Sequence, residues 1–206
     1  MTERRHRLRP DLAAIASLVP AGSRVLDVGC SEGDLLEYLA HERNVDGRGI
    51  ELSQQKVNAC VGRGLSVVQG DADTDLADYP SSVFDVVILS QTIQATRSPR
   101  GVLCHLLRIA ERTIVSFPNF GHWQIRLALL MRGRMPKTTA LCYRWYDTPN
   151  IHLCTITDFI DLVRESGAQI ESALALSEKG RTRPMNKGAR NPNLFARGAI
   201  FVLTKR

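Results

Sequence analysis

The sequence predicts an α/β fold in one domain, a mostly parallel sheet with helices on both faces. Three observations carry this. Short β-branched runs alternate with stretches whose apolar residues recur at helical spacing, the pattern of strands joined by crossover helices. A glycine-rich turn, Gly29-Cys30-Ser31-Glu32-Gly33, links the first such run to the helix after it. The run from Val83 to Leu89 is apolar enough to be buried on both faces, as central parallel strands are.

Each element follows from local chemistry. Asp11–Val19 places Leu12, Ile15, Leu18 and Val19 at helical spacing and reads as a packing helix. Arg24–Val28 is the first strand, and Asp34–His41 the next helix, with Leu35, Leu36 and Leu39 on one face. Val45–Leu52 is strand two. Gln54–Val61 is a helix stopped by Gly62 and Gly64, and Leu65–Gln69 is strand three. After strand four, Pro99 opens a helix to about Ala110, since proline suits a first helical turn, and Arg112–Phe117 is strand five. Residues 118–156 break the alternation with a short helix, Trp123–Arg132. Thr157–Glu165 returns to helix with Gly167 as its C-cap, followed by strands Gln169–Leu176 and Ala199–Thr204. Between those strands, residues 177–197 carry six basic residues against Glu178 alone and read as an exposed hairpin-type connection.

Composition excludes several classes. The 206 residues are 44% hydrophobic and 23% charged, a balance suited to a single packed domain and unlike that of a disordered chain. No apolar run nears the roughly 18 residues that a membrane helix needs. The basic start lacks a signal-peptide core, so the expected location is the cytoplasm. Cys30, Cys60, Cys104, Cys142 and Cys154 form no CxxC pair, which fits free thiols in a reducing compartment and signals no metal site. Charge is skewed: residues 1–116 balance at −2 and residues 117–206 at +8, from 14 basic and 6 acidic groups. Such a skew marks nucleic-acid binding, an anionic partner or arginines that solvate loops and helix faces.

The densest chemical signal surrounds the glycine turn. A strand ends, backbone approaches a ligand at Gly29 and Gly33, and a helix begins. Twenty-two residues after Gly29, Glu51 ends strand two, where a carboxylate accepts hydrogen bonds from both ribose hydroxyls of an adenosine group. Asp71 and Ala72, just past strand three, are placed to bracket an adenine, and Ser90 and Gln91 close strand four on the same crevice. A P-loop is excluded because GxxxxGK[ST] is absent. A nicotinamide dehydrogenase fits poorly, since the turn is not GxGxxG and no Tyr-x-x-x-Lys pair exists.

These residues (LDVGCSEG, the Glu51 strand end and GDAD at 70–73) resemble the class I S-adenosylmethionine (SAM)-dependent methyltransferases. The resemblance implies a Rossmann-like, seven-stranded sheet with an antiparallel last strand. It also implies SAM or S-adenosylhomocysteine as cofactor, with Asp27 near its methionine part. The implied cofactor residues are Asp27, Gly29, Cys30, Gly33, Glu51, Leu52, Asp71, Ala72 and Ser90. Ser31 stands where the middle glycine of the family's turn is usual, adding a side chain there. Longer strings, QGDAD, FDVVILSQTIQA, TIVSFPNFGHW, GRMP and WYDTPNIHLCT, are similar in order to the methionine biosynthesis protein MetW family. That resemblance implies a protein working beside the homoserine O-acyltransferase MetX in an accessory or activating role. The alternative is a small-molecule methyltransferase of unidentified acceptor.

The insert at about 118–156 concentrates aromatic and basic residues. Six of twelve aromatics fall in residues 117–146. His122, Trp123, Tyr143, Arg144, Trp145 and Tyr146 form the expected substrate or partner surface, read either as a lid or as a docking face. His122, Tyr143, Tyr146 and His152 are the candidate bases, and Asn119 and Asn150 are expected to shape turns. Nucleic acid is not the expected partner. The Asn/Asp/Ser-Pro-Pro-aromatic motif of similar base-methylating enzymes is replaced by Leu89-Ser90-Gln91-Thr92.

Overall fold

The computed structural model describes residues 8–138, 143–178, 180–185 and 191–205. Cys142, the basic start at residues 1–7, and Lys179 with residues 186–190 of the basic connection lie outside these. In chain order the elements are α1 (Pro10–Leu18), β1 (Arg24–Val28), α2 (Asp34–Arg43), β2 (Asp46–Glu51), α3 (Gln54–Gly62) and β3 (Ser66–Gln69). Next come β4 (Phe84–Ser90), α4 (Pro99–Ile109), β5 (Ala110–Pro118), α5 (Trp123–Arg132) and α6 (Ile156–Glu165). The chain ends with β6 (Gln169–Leu176), β7 (Thr182–Pro184), α7 (Pro192–Phe195) and β8 (Gly198–Thr204).

The sheet order is β3-β2-β1-β4-β5-β8-β6-β7. Strands β1 to β5 are parallel, and β8 runs antiparallel between β5 and β6. The seven expected strands are present, with an antiparallel last strand. The short β7 adds an eighth by folding back on β6 in the basic connection, pairing Leu174 with Pro184 and Leu176 with Thr182. A sequence of alternating Thr, Arg and Pro has no apolar face, so only pairing at the sheet edge makes it a strand.

Both faces of the sheet are covered. Val87, Leu89, Val115, Phe117, Phe201 and Leu203 pack under α4 and α6. Val86, Ile88, Ile114, Ile200 and Val202 pack on the other side under α1 and α2. Alternation along β4 thus feeds two cores at once. Asp85 is the exception in this strand, and it is bound at the edge by the backbone and guanidinium of Arg24 at 2.7 and 2.9 Å. Phe117, Phe159 and Phe201 lock α6 to the sheet, with ring centroids 4.6 Å and 4.9 Å apart across Phe159.

Helix α6 begins one residue earlier than its apolar pattern predicts. Thr155 and Asp158 form a reciprocal capping box, each side chain accepting the other's backbone N–H. Thr155→Ala is expected to lower stability by about 1 kcal/mol, read from the urea midpoint at unchanged m-value.

Candidate functional site

The carboxyl ends of the parallel strands open into a cleft of about 1110 Å³. Its first wall is the glycine turn. Gly29 has φ +75°, and a Cβ there would lie 2.6 Å from the Thr92 hydroxyl oxygen, so only glycine fits. Its N–H and that of Cys30 both donate to the Ile50 carbonyl, at 2.8 and 3.2 Å, tying the turn to the end of β2. Ser31 adopts φ +53°, the left-handed conformation glycine would take without cost. Its N–H donates to Glu51 Oε2 at 2.9 Å, while Ser53 N–H donates to Oε1 at 3.0 Å. The buried Glu51 carboxylate is therefore held rigidly across the turn at the cleft wall.

The second wall follows β3. Asp71 accepts from Asp73 N–H at 2.9 Å and pairs with the Arg97 guanidinium. Asp73 accepts the backbone N–H groups of Arg97 and Ser98, each at 2.8 Å. Burial acts to raise the Asp73 pKa, but these donors and the Arg97 charge hold it below the usual carboxylate range. The loop after β4 forms the floor. Gln91 has φ +54°, and its carbonyl accepts from Gln94 Nε2 at 2.7 Å. The Gln94 carbonyl in turn accepts the N–H groups of Ile151 and His152, both at 2.9 Å, which fastens the insert over the cleft.

Of the residues singled out from sequence, Gly29, Glu51, Leu52, Asp71, Ala72, Ser90, Gln91, Tyr143 and Asn150 line this cleft. Asp27, Cys30 and Gly33 stand behind it. Asp27 is buried beneath the turn, and burial first, then the Glu51 charge, pushes its pKa up to about 7. The Cys30 side chain turns toward Gly49, where a Cβ would be 2.7 Å from its sulfur; burial pushes its thiol pKa up, the mark of an inert cysteine. Gly33 gives way to Leu65, whose Cδ1 would be 2.4 Å from a Cβ.

The insert divides. Pro149 and Asn150 face the cleft, Arg144, Trp145 and Tyr146 line a separate pocket of about 220 Å³ with Met135, Pro136 and Leu153, and Tyr143 lines both. Trp145 meets Tyr146 edge-on at 5.5 Å, and the Arg144 guanidinium lies 5.8 Å from the Tyr146 ring centre. His122 is not at the cleft. It caps α5, with Nδ1 accepting Gln124 N–H at 3.3 Å. Burial and then the Arg197 charge lower its pKa. His152 is exposed, with Nε2 3.4 Å from the Arg97 carbonyl. Asn119 does more than shape a turn. Fully buried, it donates to the carbonyls of Asn193 and Ala196 at 2.9 and 2.8 Å and accepts from Gly121 and Ile156, bolting β5 to α6 and α7.

Sequence reasoning missed Arg97, Gln94, Thr92 and Arg197 in or beside the cleft. The connection at 177–197, read as merely exposed, lends Ser177, Glu178, Gly180 and Arg197 to its wall. The one available signal was positional: Arg197 directly precedes an antiparallel strand, which starts at the carboxyl edge of the sheet. Among the described residues no group of three or more His, Cys, Asp or Glu converges as metal ligands would. No helix among them is long and apolar enough to cross a membrane.

Comparison with known proteins places this geometry in context. A SAM-dependent methyltransferase from Thermotoga maritima superposes with a TM-score of 0.69 at 16% identity, covering 96% of this chain and 88% of that one. A phosphoethanolamine N-methyltransferase of Haemonchus contortus, solved in complex with SAM, gives 0.65 at 13% identity over 95% of this chain and 52% of its own. These likenesses concern the fold. In sequence, the bifunctional methionine biosynthesis protein MetXA/MetW of Rhodopirellula baltica is 32% identical over 95% of this chain. The chain spans about a third of that relative's length, 32%, so the relative carries this domain within one longer polypeptide. The family model for methionine biosynthesis protein MetW matches residues 9–203, and the chain belongs to that family.

Proposed function

We propose that this protein binds SAM or S-adenosylhomocysteine in the cleft and acts with a MetX-type homoserine O-acyltransferase, raising its activity. The observation that carries the partnership is the R. baltica relative, in which MetXA and MetW share one chain. Fusion of two functions fits a need to keep them side by side.

The residues present fit the cofactor. Gly29 leaves backbone where a side chain would collide with Thr92, and Glu51 presents a carboxylate already oriented by two N–H donors. In this reading Glu51 accepts the ribose hydroxyls, Asp71 and Ala72 flank the adenine, and Gly29, Leu52 and Ser90 complete the wall. Asp27 and Cys30 act from behind the turn, Asp27 through its charge. When bound, SAM supplies a methyl group on a positively charged sulfur. What the chain itself contributes is orientation and exclusion of water, which suffice for a nucleophilic acceptor.

The docking face in this reading is the outward side of the insert. Trp123, Leu127, Leu130 and Met131 share one exposed stripe of α5, at positions i, i+4, i+7 and i+8. Trp145 and Tyr146 are exposed as well, in the neighbouring segment. Alanine at Trp123, Arg144 or Trp145 is expected to weaken acyltransferase binding by about 2 kcal/mol each, roughly 30-fold, and to leave cofactor affinity unchanged. Co-purification with the acyltransferase, and its initial rate with and without this protein, provide the measurement. No binding and no rate change with wild type would overturn the partnership. The small-molecule methyltransferase reading would then stand.

A further inference from the structure

The far end of the cleft holds a cation that the cofactor reading does not use. Arg197 lies at the start of β8, beside the end of β5, where Gly198 pairs with Pro118. Its backbone is clamped on both sides: its N–H donates to the Leu176 carbonyl at 2.9 Å, and its carbonyl accepts Asn119 N–H at 2.8 Å. Its Nη2 donates to Gln124 Oε1 at 2.8 Å and to Glu178 Oε1 at 2.7 Å. The two members of the ion pair differ sharply in exposure. The Arg197 side chain is 14% exposed and that of Glu178 is 64% exposed.

The backbone of Arg197 is thus fixed by β6 and the residue after β5, and its guanidinium by Gln124 of α5, while its counter-charge stands in water on the turn before β7. Gln124 is neutral, so it orients the fork without cancelling its charge. An ion pair with one member in solvent contributes little and is easily exchanged. A planar guanidinium held in this way favours a carboxylate that can offer it two oxygens.

We propose that Arg197 anchors a subsite for a small carboxylate-bearing ligand, with Glu178 as an internal stand-in that yields its place when the ligand arrives. The proposal rests on the cofactor reading of the other half of the cleft. That half sets Glu51, Asp71 and Asp73 against Lys56 and the Arg97 that pairs with Asp71, a balance that stays negative and disfavours a carboxylate relative to the Arg197 end. At the Arg197 end the acids are Glu178 and Asp11, and Asp11 pairs with Arg9 at 3.0 Å.

The test compares butyrate with its neutral isostere butyramide, titrated in low-chloride buffer into protein saturated with S-adenosylhomocysteine. Thermal shift and calorimetry are the readouts. Wild type should bind butyrate in preference to the amide. Glu178→Gln removes the competing carboxylate and should bind butyrate at least threefold more tightly, whereas Arg197→Gln should bind it at least tenfold more weakly. Glu178 is exposed, so its variant folds and decides the matter even where Arg197→Gln does not. Equal response to butyrate and butyramide in both wild type and Glu178→Gln would overturn the subsite. If S-adenosylhomocysteine itself gives no heat, the cofactor reading has failed. The same titration of unloaded protein then judges Arg197 by the same comparison.

Discussion

Replacing Glu51 with alanine is expected to weaken binding of S-adenosylhomocysteine at least 100-fold. Each of the two ribose hydroxyls would lose a charge-assisted hydrogen bond, worth roughly 1.5–3 kcal/mol apiece, and 3 kcal/mol already exceeds a factor of 100. A second loss adds to this. The carboxylate also accepts the N–H groups of Ser31 and Ser53, so the turn itself loosens when it is removed. Glu51→Gln separates the two effects. An amide keeps one acceptor oxygen but turns an N–H group toward a donor, so affinity should fall while the fold is largely retained. Calorimetric titration of the three proteins reads the affinities, and urea unfolding reads the stabilities. Undiminished affinity in Glu51→Ala would remove the carboxylate from the cofactor site.

Asp27 should impose an unusual pH dependence on stability. Burial and the nearby Glu51 raise its pKa from the ordinary 3.8 to about 7 in the folded protein. Between those values the folded state retains a proton that the unfolded state releases. Stability therefore falls as pH rises from about 4 to 7, then levels off. About three units at 1.36 kcal/mol each set the full effect near 4 kcal/mol. Asp27→Asn cannot ionise, so its stability relative to wild type should improve steadily across that window. Urea midpoints of both proteins at pH 4 and pH 8 measure the difference, which also cancels the other titrating groups. A constant difference across pH would show that Asp27 is charged throughout. The same proton links to binding. In the proposed cofactor reading a cationic ligand group beside the turn favours ionised Asp27, so cofactor affinity should rise with pH toward 7 and flatten above it. Asp27→Asn should lose that rise.

Much of the fold was legible because its elements have local causes. Pro99 starts a helix whose buried face recurs at Val102, Leu103, Leu106 and Leu107, and nothing distant is needed to see it. The glycine turn and Glu51 were legible for a similar reason. A tight strand-to-helix turn and a carboxylate at the next strand end are spaced by a single βαβ unit. Element ends were less legible. Thr155, the cap of the box that moves the start of α6, lies just outside the apolar pattern that reveals the helix.

By itself the sequence determined the order of strands and helices, the two-faced core and the acidic, glycine-rich half of the cleft, because periodicity and turn chemistry act over a few residues. Only the tertiary structure decided which side chains share a wall. Arg197 and Gln124 are 73 positions apart, and Asn119 and Ala196 are 77 apart, yet each pair is hydrogen-bonded. It also set Tyr143 between the cleft and the outer pocket, while Trp145, two positions on, lines the outer pocket alone. The physical reason is that antiparallel β8 returns the end of the chain to the carboxyl edge of the sheet. There it meets the insert that follows β5, and no local pattern records that encounter.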